Sequence, residues 1–371
     1  MKLNRQKLML LLVLLCVTMM IAAPAEAKKK KKKKKAKPKW KTTMQVGLET
    51  IYDSNFLRYS EDYLEDFESG MHFSKYKMDH QYSLIAAPSF RIQTEKKLLS
   101  VGKTRFIFKY KLWQYEQDVK SNMAFDYYVR QYLPGGTSVE LKYNYAPSQY
   151  IRELSDHPVA EPHSAPVIYD EFRYVRNQWN LYFRGKLNKR MSYKFDLSHA
   201  LKYYNQIFME NDINDWGLRT TLSTKLTKKW TLALDYQYLN ADARGYDELG
   251  ETVETSDNSD PAYKRDMFQA DLNWKPGWSK KLFDSVSVRA RYAVAYFTSQ
   301  NSLEDDAYHV GRKDNVYTGQ IRFSKKINKS MSAGYGFQRS YREVESPWHG
   351  DIFEDKNYDQ NRYWFGLTYT L

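Results

Sequence analysis

The sequence predicts an all-β fold: a transmembrane antiparallel up-and-down β-barrel of about 14 strands, preceded by a disordered basic arm. Three observations lead to this prediction. Beyond residue 41 the chain repeats segments of roughly ten residues in which apolar and polar side chains alternate. The connections between these segments alternate between short and long. Aromatic residues make up 16% of the chain, including 32 tyrosines, which suits a barrel with aromatic girdles and a hydrated interior.

The first 27 residues have the form of a secretory signal peptide. A basic start is followed by an apolar run over residues 8–23, and Ala25-Glu26-Ala27 supplies the small residues of a cleavage site. The single cysteine, Cys16, lies inside the apolar run, and Leu15 before it does not fit a lipoprotein signal. The mature chain then has no cysteine, which excludes a disulfide framework and a thiol enzyme.

The net charge of +14 comes almost entirely from the N-terminus, because residues 1–39 carry +12 and the remaining residues only +2. Self-repulsion predicts that the lysine run is disordered, so residues 28–41 are expected to form a periplasmic arm and residues 42–371 the barrel. One interpretation is an envelope tether that binds an anionic cell-wall polymer or the inner-leaflet surface; the other is a spacer without a partner. The tether would consist of Lys28, Lys29, Lys30, Lys31, Lys32, Lys33, Lys34 and Lys35. Since the basic charge belongs to one tail of an exported chain, no nucleic-acid partner is expected.

The alternation begins in the segment that contains Met44, Leu48 and Tyr52 on one face and Gln45 and Glu49 on the other. Fourteen such segments are predicted, near residues 43–52, 81–92, 105–112, 123–133, 137–146, 172–187, 191–204, 215–226, 230–239, 263–275, 284–298, 315–324, 330–341 and 358–371. A mean hydropathy of −0.74 excludes a bundle of membrane helices. In lipid an open sheet edge would leave backbone groups unpaired, so the sheet must close. A soluble sandwich would instead bury its apolar face, but the signal peptide and the aromatic content favour the barrel.

The connections also differ in charge. Short ones are basic, as at Lys189-Arg190 and Lys228-Lys229, whereas long ones such as 53–80 and 240–262 are rich in acid. Short turns face the periplasm and long loops the outside in outer-membrane barrels, which predicts that both termini are periplasmic. The acidic run Glu304-Asp305-Asp306 lacks the ligand spacing of a dedicated cation loop. We therefore expect no metal site, only a solvated loop face bridged to lipopolysaccharide by divalent ions.

The C-terminal strand resembles the signal by which the barrel-assembly machinery selects outer-membrane proteins, with Gly366, Tyr369 and Leu371 at the matching positions. A shorter segment, Tyr52-Asp53-Ser54-Asn55, is similar to the one after the first strand in porin-type barrels and in barrels that assemble surface lipoproteins. At the level of class, residues 42–371 thus resemble Gram-negative outer-membrane β-barrels of the porin-like superfamily. The resemblance implies a location in the outer membrane, with membrane lipid, lipopolysaccharide and the assembly machinery as partners.

The predicted lumen is rich in cations. Its inward positions hold Arg91, Arg105, Lys109, Lys111, Arg130, Lys142, Arg176, Arg184, Arg219, Arg289, Arg291, Arg322 and Arg362. The inward acids are fewer: Glu49, Asp126, Glu140, Asp196, Asp235 and Asp271. Since rings of Arg and Lys favour anions, one hypothesis is a passive channel for small anionic solutes, such as acidic sugars or carboxylates, without a cofactor. The alternative is a ladder of ion pairs that blocks the lumen, in a structural or surface-binding barrel whose acidic loops are functional.

Catalysis is not expected. His199 is the histidine that falls on a predicted strand, on the lipid face beside Leu197 and Leu201. A nucleophile and its base need mutual hydrogen-bond reach, and no outward serine lies two residues from His199 on its strand. A barrel-rim lipid hydrolase remains a third hypothesis, with His199 as its base, and an interfacial histidine is the preferred interpretation.

Overall fold

A computed structural model describes most of the chain beyond the N-terminal arm. The described residues are 40–69, 78–99, 102–117, 121–155, 169–246, 250–252, 259–277, 282–348 and 356–371. The predicted signal peptide and the lysine run fall outside them. No helix of this described part is long and apolar enough to cross a membrane.

Fourteen antiparallel strands form a closed barrel in which each strand pairs with the next along the chain and β14 pairs with β1. The strands are β1 Lys41–Asp53, β2 Ser83–Leu99, β3 Gly102–Tyr115, β4 Ser121–Tyr132, β5 Ser138–Ser155, β6 Tyr169–Lys186, β7 Met191–Tyr204, β8 Ile213–Lys225, β9 Trp230–Ala243, β10 Tyr263–Trp274, β11 Ser285–Phe297, β12 Lys313–Lys326, β13 Met331–Glu345 and β14 Tyr358–Thr370. The predicted fold class and strand number are confirmed. The first strand begins at Lys41, which pairs with Glu95 in β2.

An even strand number places both termini at one end of the barrel, the terminal end. The connections there are short, at 100–101, 133–137, 187–190, 226–229, 275–284 and 327–330. The connections at the opposite, loop end are mostly longer, at 54–82, 116–120, 156–168, 205–212, 244–262, 298–312 and 346–357. Outer-membrane barrels direct such short turns to the periplasm and such long loops outward.

The exterior of the barrel is apolar. Because side chains alternate between the two faces of a strand, every second residue points outward, and large apolar side chains there remain open: Leu48 is 49% exposed, Leu141 46% and Phe365 51%. Outward rings also contact each other across strands, as for Tyr143 and Trp179, whose centroids are 4.3 Å apart. A closed barrel with this exterior is stable in lipid and not in water. The protein is an outer-membrane β-barrel.

The connection after β1 folds into the barrel. Within residues 54–60, which we call the inner loop, Phe56 and Tyr59 are each 2% exposed, and Leu57 is 7% exposed. They pack against the inward side chains of Ile85 and Tyr115, among others. A short helix, α1 (Glu61–Ser69), follows the inner loop. The sequence predicts 53–80 as an outer loop, and this prediction is corrected here, because three apolar side chains of the inner loop are buried against the barrel wall.

Candidate functional site in the barrel lumen

The inner loop is fastened to the last strand by Asp53, Asn55, Gln360 and Arg362, which we call the clasp. The Asp53 side chain is fully buried. Its Oδ2 accepts a hydrogen bond from Arg362 Nη2 at 2.7 Å, and its Oδ1 accepts one from Gln360 Nε2 at 2.9 Å. The backbone N–H of Asn55 also donates to Oδ1, at 3.2 Å. The clasp therefore joins the end of β1 to β14 and fixes where the inner loop begins.

Asn55 shapes the inner loop itself. Its Nδ2 donates to the backbone oxygens of Tyr59, at 2.7 Å, and Asp359, at 3.1 Å, while its Oδ1 accepts from the backbone N–H of Tyr59 at 2.9 Å. Inside this turn Arg58 has φ of +59°, a left-handed conformation that is uncommon for a residue with a side chain and costs on the order of 1 kcal/mol. The turn buries Leu57 and Tyr59 and leaves Arg58 exposed between them.

Ion pairs run along much of the inner wall. Eight of the thirteen predicted lumen cations pair with a carboxylate: Arg105 with Glu95, Lys111 with Glu49, Arg130 and Arg184 with Glu140, Lys142 with Asp126, Arg219 with Asp235, Arg289 with Asp271, and Arg362 with Asp53. Glu140 is bound by two of these cations: its side chain is 1% exposed and accepts from Arg130 Nε at 2.5 Å and from Arg184 Nη2 at 2.8 Å. These pairs neutralise part of the predicted positive charge.

The other five predicted cations have no carboxylate within ion-pair distance among the residues that the structure describes. They are Arg91, Lys109, Arg176, Arg291 and Arg322. Some of them contact neutral groups instead: Arg176 Nη2 donates to Asn144 Oδ1 at 2.9 Å, and Arg291 Nη2 donates to Thr318 Oγ1 at 3.1 Å. Neutral partners leave the charge of a guanidinium in place.

A cavity of about 650 Å³ lies between the inner loop and the wall formed by β8 to β14. Its lining includes Arg58, Arg219, Arg265, Arg289, Arg291, Arg312 and Arg342. Asp314 is the carboxylate among its lining residues, and Asp314 already contacts Arg312, at 2.8 Å, and Arg342, at 3.7 Å. For Arg58, Arg265 and Arg291, no carboxylate of the described residues lies within ion-pair distance. These three guanidinium groups face the same cavity.

Four of these arginines were missed by the sequence analysis, for different reasons. Arg265 has the same strand parity as Asp271, so the alternation already contained the signal. Arg342 lies just outside the predicted limit of β13, which the structure extends toward the loop end, and Arg312 lies in the loop directly before β12. Arg58 follows Phe56 and Leu57 in the loop that was predicted to face outward. This apolar pair is the sequence signal that could have indicated an inward fold of the loop.

The loop 298–312 holds a buried carboxylate that the sequence analysis placed in a solvated acidic face. Asp306 is 2% exposed. Its Oδ2 accepts from Ser299 Oγ at 2.8 Å and from the backbone N–H of Asp260 at 2.9 Å, and its Oδ1 contacts His309 Nδ1 at 2.8 Å. Burial alone raises the pKa of Asp306, but these donors outweigh it, and the net pKa lies below the usual range. The expectation of a solvated Asp306 was therefore wrong.

The shift makes the packing of this loop dependent on pH. Because the folded-state pKa is lowered, the ionised Asp306 stabilises the loop above the unfolded-state pKa, near 4, and this contribution is lost as the pH falls through the folded-state value. We expect the Asp260 amide to be protected from hydrogen exchange at pH 7 and to lose protection, corrected for intrinsic rates, below about pH 4. In Asp306→Asn the protection should be low already at pH 7; equal protection in both proteins would contradict this assignment.

His199 lies on the outer surface, as predicted. Its ring stacks on Trp216 with 4.0 Å between centroids, and its Nε2 is 2.8 Å from Asn214 Oδ1. Trp216 is 60% exposed, which is typical of the membrane interface. Within the described ranges no group of His, Cys, Asp and Glu side chains is arranged to hold a metal ion.

Of the predicted assembly signal, Gly366 and Tyr369 lie on β14, beside the first strand, and Leu371 directly follows β14. Gly366 pairs with Glu49 and Tyr369 with Val46, and the backbone N–H of Leu371 donates to the Met44 oxygen at 2.9 Å. The structure thus brings these residues to the seam of the barrel, and their recognition by the assembly machinery stays a prediction.

No family model and no curated protein matches the sequence. Among solved structures, the barrel is similar to an anion-selective porin from Comamonas acidovorans (8% identity, 90% of this chain and 100% of that chain covered, TM-score 0.45). It is also similar to the outer membrane channel DcaP of Acinetobacter baumannii (12% identity, 91% and 99% covered, TM-score 0.44). Scores and identities this low carry no inference about solute or selectivity, which depend on the residues of this chain.

Proposed function

We propose that this outer-membrane barrel is a passive channel that favours small anionic solutes. The observation that carries the proposal is the cavity beside the inner loop, where Arg58, Arg265 and Arg291 face one space without a carboxylate partner among the described residues. Guanidinium groups remain charged at any physiological pH. Positive side chains along a pore lower the energy of a passing anion and raise that of a cation.

The route toward the terminal end also supports a passage. A second cavity of about 470 Å³ lies there, between the ends of β1, β2 and β12 to β14. Much of its lining is small, including Gly47, Ser89 and Gly334. Its charged lining residues are four cations and two carboxylates: Lys111, Arg322, Lys325, Lys326, Glu49 and Asp284. Small inward residues keep this part of the barrel wide. A solute that leaves the arginine-lined cavity therefore enters the second cavity, where Arg322 offers another positive charge.

Ion selectivity in planar bilayers tests the proposal. For the wild-type protein in a potassium chloride gradient, we expect an ohmic current whose zero-current potential has the sign of chloride permeation, because the unpaired arginines repel potassium ions. Raising the ionic strength should reduce this preference, since salt screens the charges. A potential of the opposite sign at low salt would contradict the proposal.

A second candidate function is a closed barrel with a structural or surface-binding role. The observation that favours it is the inner loop, whose Phe56, Leu57 and Tyr59 fill part of the lumen, together with the ion pairs along the wall. The same bilayer recording separates the two functions. An absence of current after verified insertion would support the closed barrel and contradict the channel.

A further inference from the structure

We infer that the arginine-lined cavity is a binding site for organic dicarboxylates, held by Arg58, Arg265 and Arg291. This inference rests on the proposed function and adds a solute class and a saturable site to it. A charged pore that only biases passing ions has no preferred solute. A site in which an apolar surface separates two cations prefers a solute with two separated negative charges.

The inner wall supplies this arrangement on β10 and β11. Gln269 pairs across the two strands with Arg291, and Arg265 lies four residues from Gln269 on the same face. Between these two levels, Met267 pairs with Ala293, and both side chains line the cavity. At about 3.4 Å per residue, the two arginine levels are roughly 13 Å apart along the strand, a distance that two flexible arginine side chains shorten by reaching toward each other.

Arg58 adds the third cation from the opposite side. It is exposed between the buried Leu57 and Tyr59, and its guanidinium carbon lies 5.7 Å from the ring centre of Tyr358. Arg342 approaches the same ring at 4.8 Å. The turn that contains Arg58 keeps a left-handed backbone at a residue other than glycine. Such conformations persist where the surroundings enforce them and are frequent at functional sites.

The chemistry of these groups fits two carboxylates joined by a short carbon chain. A guanidinium group binds a carboxylate through two parallel hydrogen bonds, so Arg265 and Arg291 can each take one end of the solute. The carbon chain then lies against Met267 and Ala293, which offer no competing polar group. A monocarboxylate leaves one arginine unused, and a compact inorganic dianion is too short to reach both levels.

The inference predicts a specific inhibition of the chloride current. In planar bilayers, adipate should reduce the chloride current of the wild-type protein saturably, and hexanoate or sulfate at the same ionic strength should reduce it at least about tenfold less effectively, because each loses a charged hydrogen-bonding contact. Calorimetric titration of the detergent-solubilised protein with adipate should give the same saturation. Equal potency of adipate and sulfate, or of adipate and hexanoate, would overturn the dicarboxylate assignment.

Substitution of Arg58 tests the site without touching the barrel wall. Arg58→Gln should weaken adipate binding by about tenfold or more and should also reduce the preference for chloride, because one of the three unpaired arginines of the cavity is lost. Arg58→Gly removes the same group and suits the left-handed backbone, so it should unfold no more readily than the wild type and show the same loss. Unchanged adipate affinity in both variants would remove Arg58 from the site.

Arg339→Gln is the matched control, because it removes one arginine that pairs with Asp359 and is 63% exposed, outside the cavity lining. Its adipate affinity should equal that of the wild type. Anion selectivity without saturable adipate binding would overturn this inference and leave the proposed function intact. Adipate binding by calorimetry in a protein without anion selectivity would overturn the proposed function and leave the site.

Discussion

Replacement of Asp53 by alanine is expected to open the channel. The side chain of Asp53 is fully enclosed and holds Arg362 and Gln360 of β14 against the start of the inner loop. Loss of one member of such a buried pair costs about 3–5 kcal/mol. Asp53 and Arg362 are paired by the register of β1 and β14 itself, so only the bonds from the Asn55 N–H to Asp53 and from Gln360 Nε2 to the Asn55 oxygen depend on the folded inner loop. Without Asp53 these bonds are weakened, and the released population should increase about tenfold or more. Single-channel recordings should then show a new, higher conductance level.

Glu49→Gln is the control for this experiment. Glu49 is an inward acid of the same strand and pairs with Lys111 at 2.7 Å, but it contacts neither the inner loop nor the clasp. Because Glu49 lines the second cavity, its loss should shift the existing conductance level only modestly, and no new, higher level should appear. If Asp53→Ala and Glu49→Gln gave identical recordings, the inner loop would not be what limits the conductance, and the clasp would have no part in permeation.

Glu140→Gln is expected to cause the largest loss of stability among the wall substitutions. Arg130 and Arg184 both donate to this one carboxylate, whose side chain is 1% exposed. A neutral amide would leave two guanidinium groups close together without a counter-charge. Since both still reach lumen water, we expect a loss near the lower end of the range for buried pairs, about 3 kcal/mol in the free energy of unfolding.

Reversible urea unfolding in lipid vesicles or detergent, followed by tryptophan fluorescence, measures this loss. Glu171→Gln provides the comparison, because Glu171 pairs with Arg173 at 2.7 Å while both side chains are about half exposed. An exposed pair of this kind contributes less than about 1 kcal/mol. A Glu140→Gln protein as stable as Glu171→Gln would show that lumen water screens the wall as strongly as bulk solvent does.

The strands could be predicted because alternation is a local property. The alternation of neighbouring residues shows which face of the strand Leu48 or Arg291 lies on. A shift of one residue would place every side chain of the strand on the opposite face. The fourteen segments therefore predicted the barrel, which is confirmed, and an inward position for the thirteen lumen cations. The limits of the strands were less certain, since β5 and β12 continue beyond the last clear alternation.

The function-determining geometry could not be predicted in the same way. Arg219 is neutralised by Asp235 of the neighbouring strand, whereas Arg291 has no such partner among the described residues. This difference depends on the register between strands, which cannot be read from the sequence. The position of Arg58 depends on contacts between the inner loop and residues more than 300 positions away, such as Gln360. Long-range contacts of this type leave no periodic trace in the chain.

The clasp also has a consequence for the order of biogenesis. Asp53 contacts Gln360 and Arg362 where the first strand pairs with the last. Asp53 and Gln360 are 307 residues apart in the sequence. Contacts between residues this far apart in sequence form late, after contacts between residues closer in sequence, because closing a longer loop costs more conformational entropy. The clasp is therefore expected to close last, after the inner loop has already packed against Ile85 and Tyr115 of the neighbouring strands.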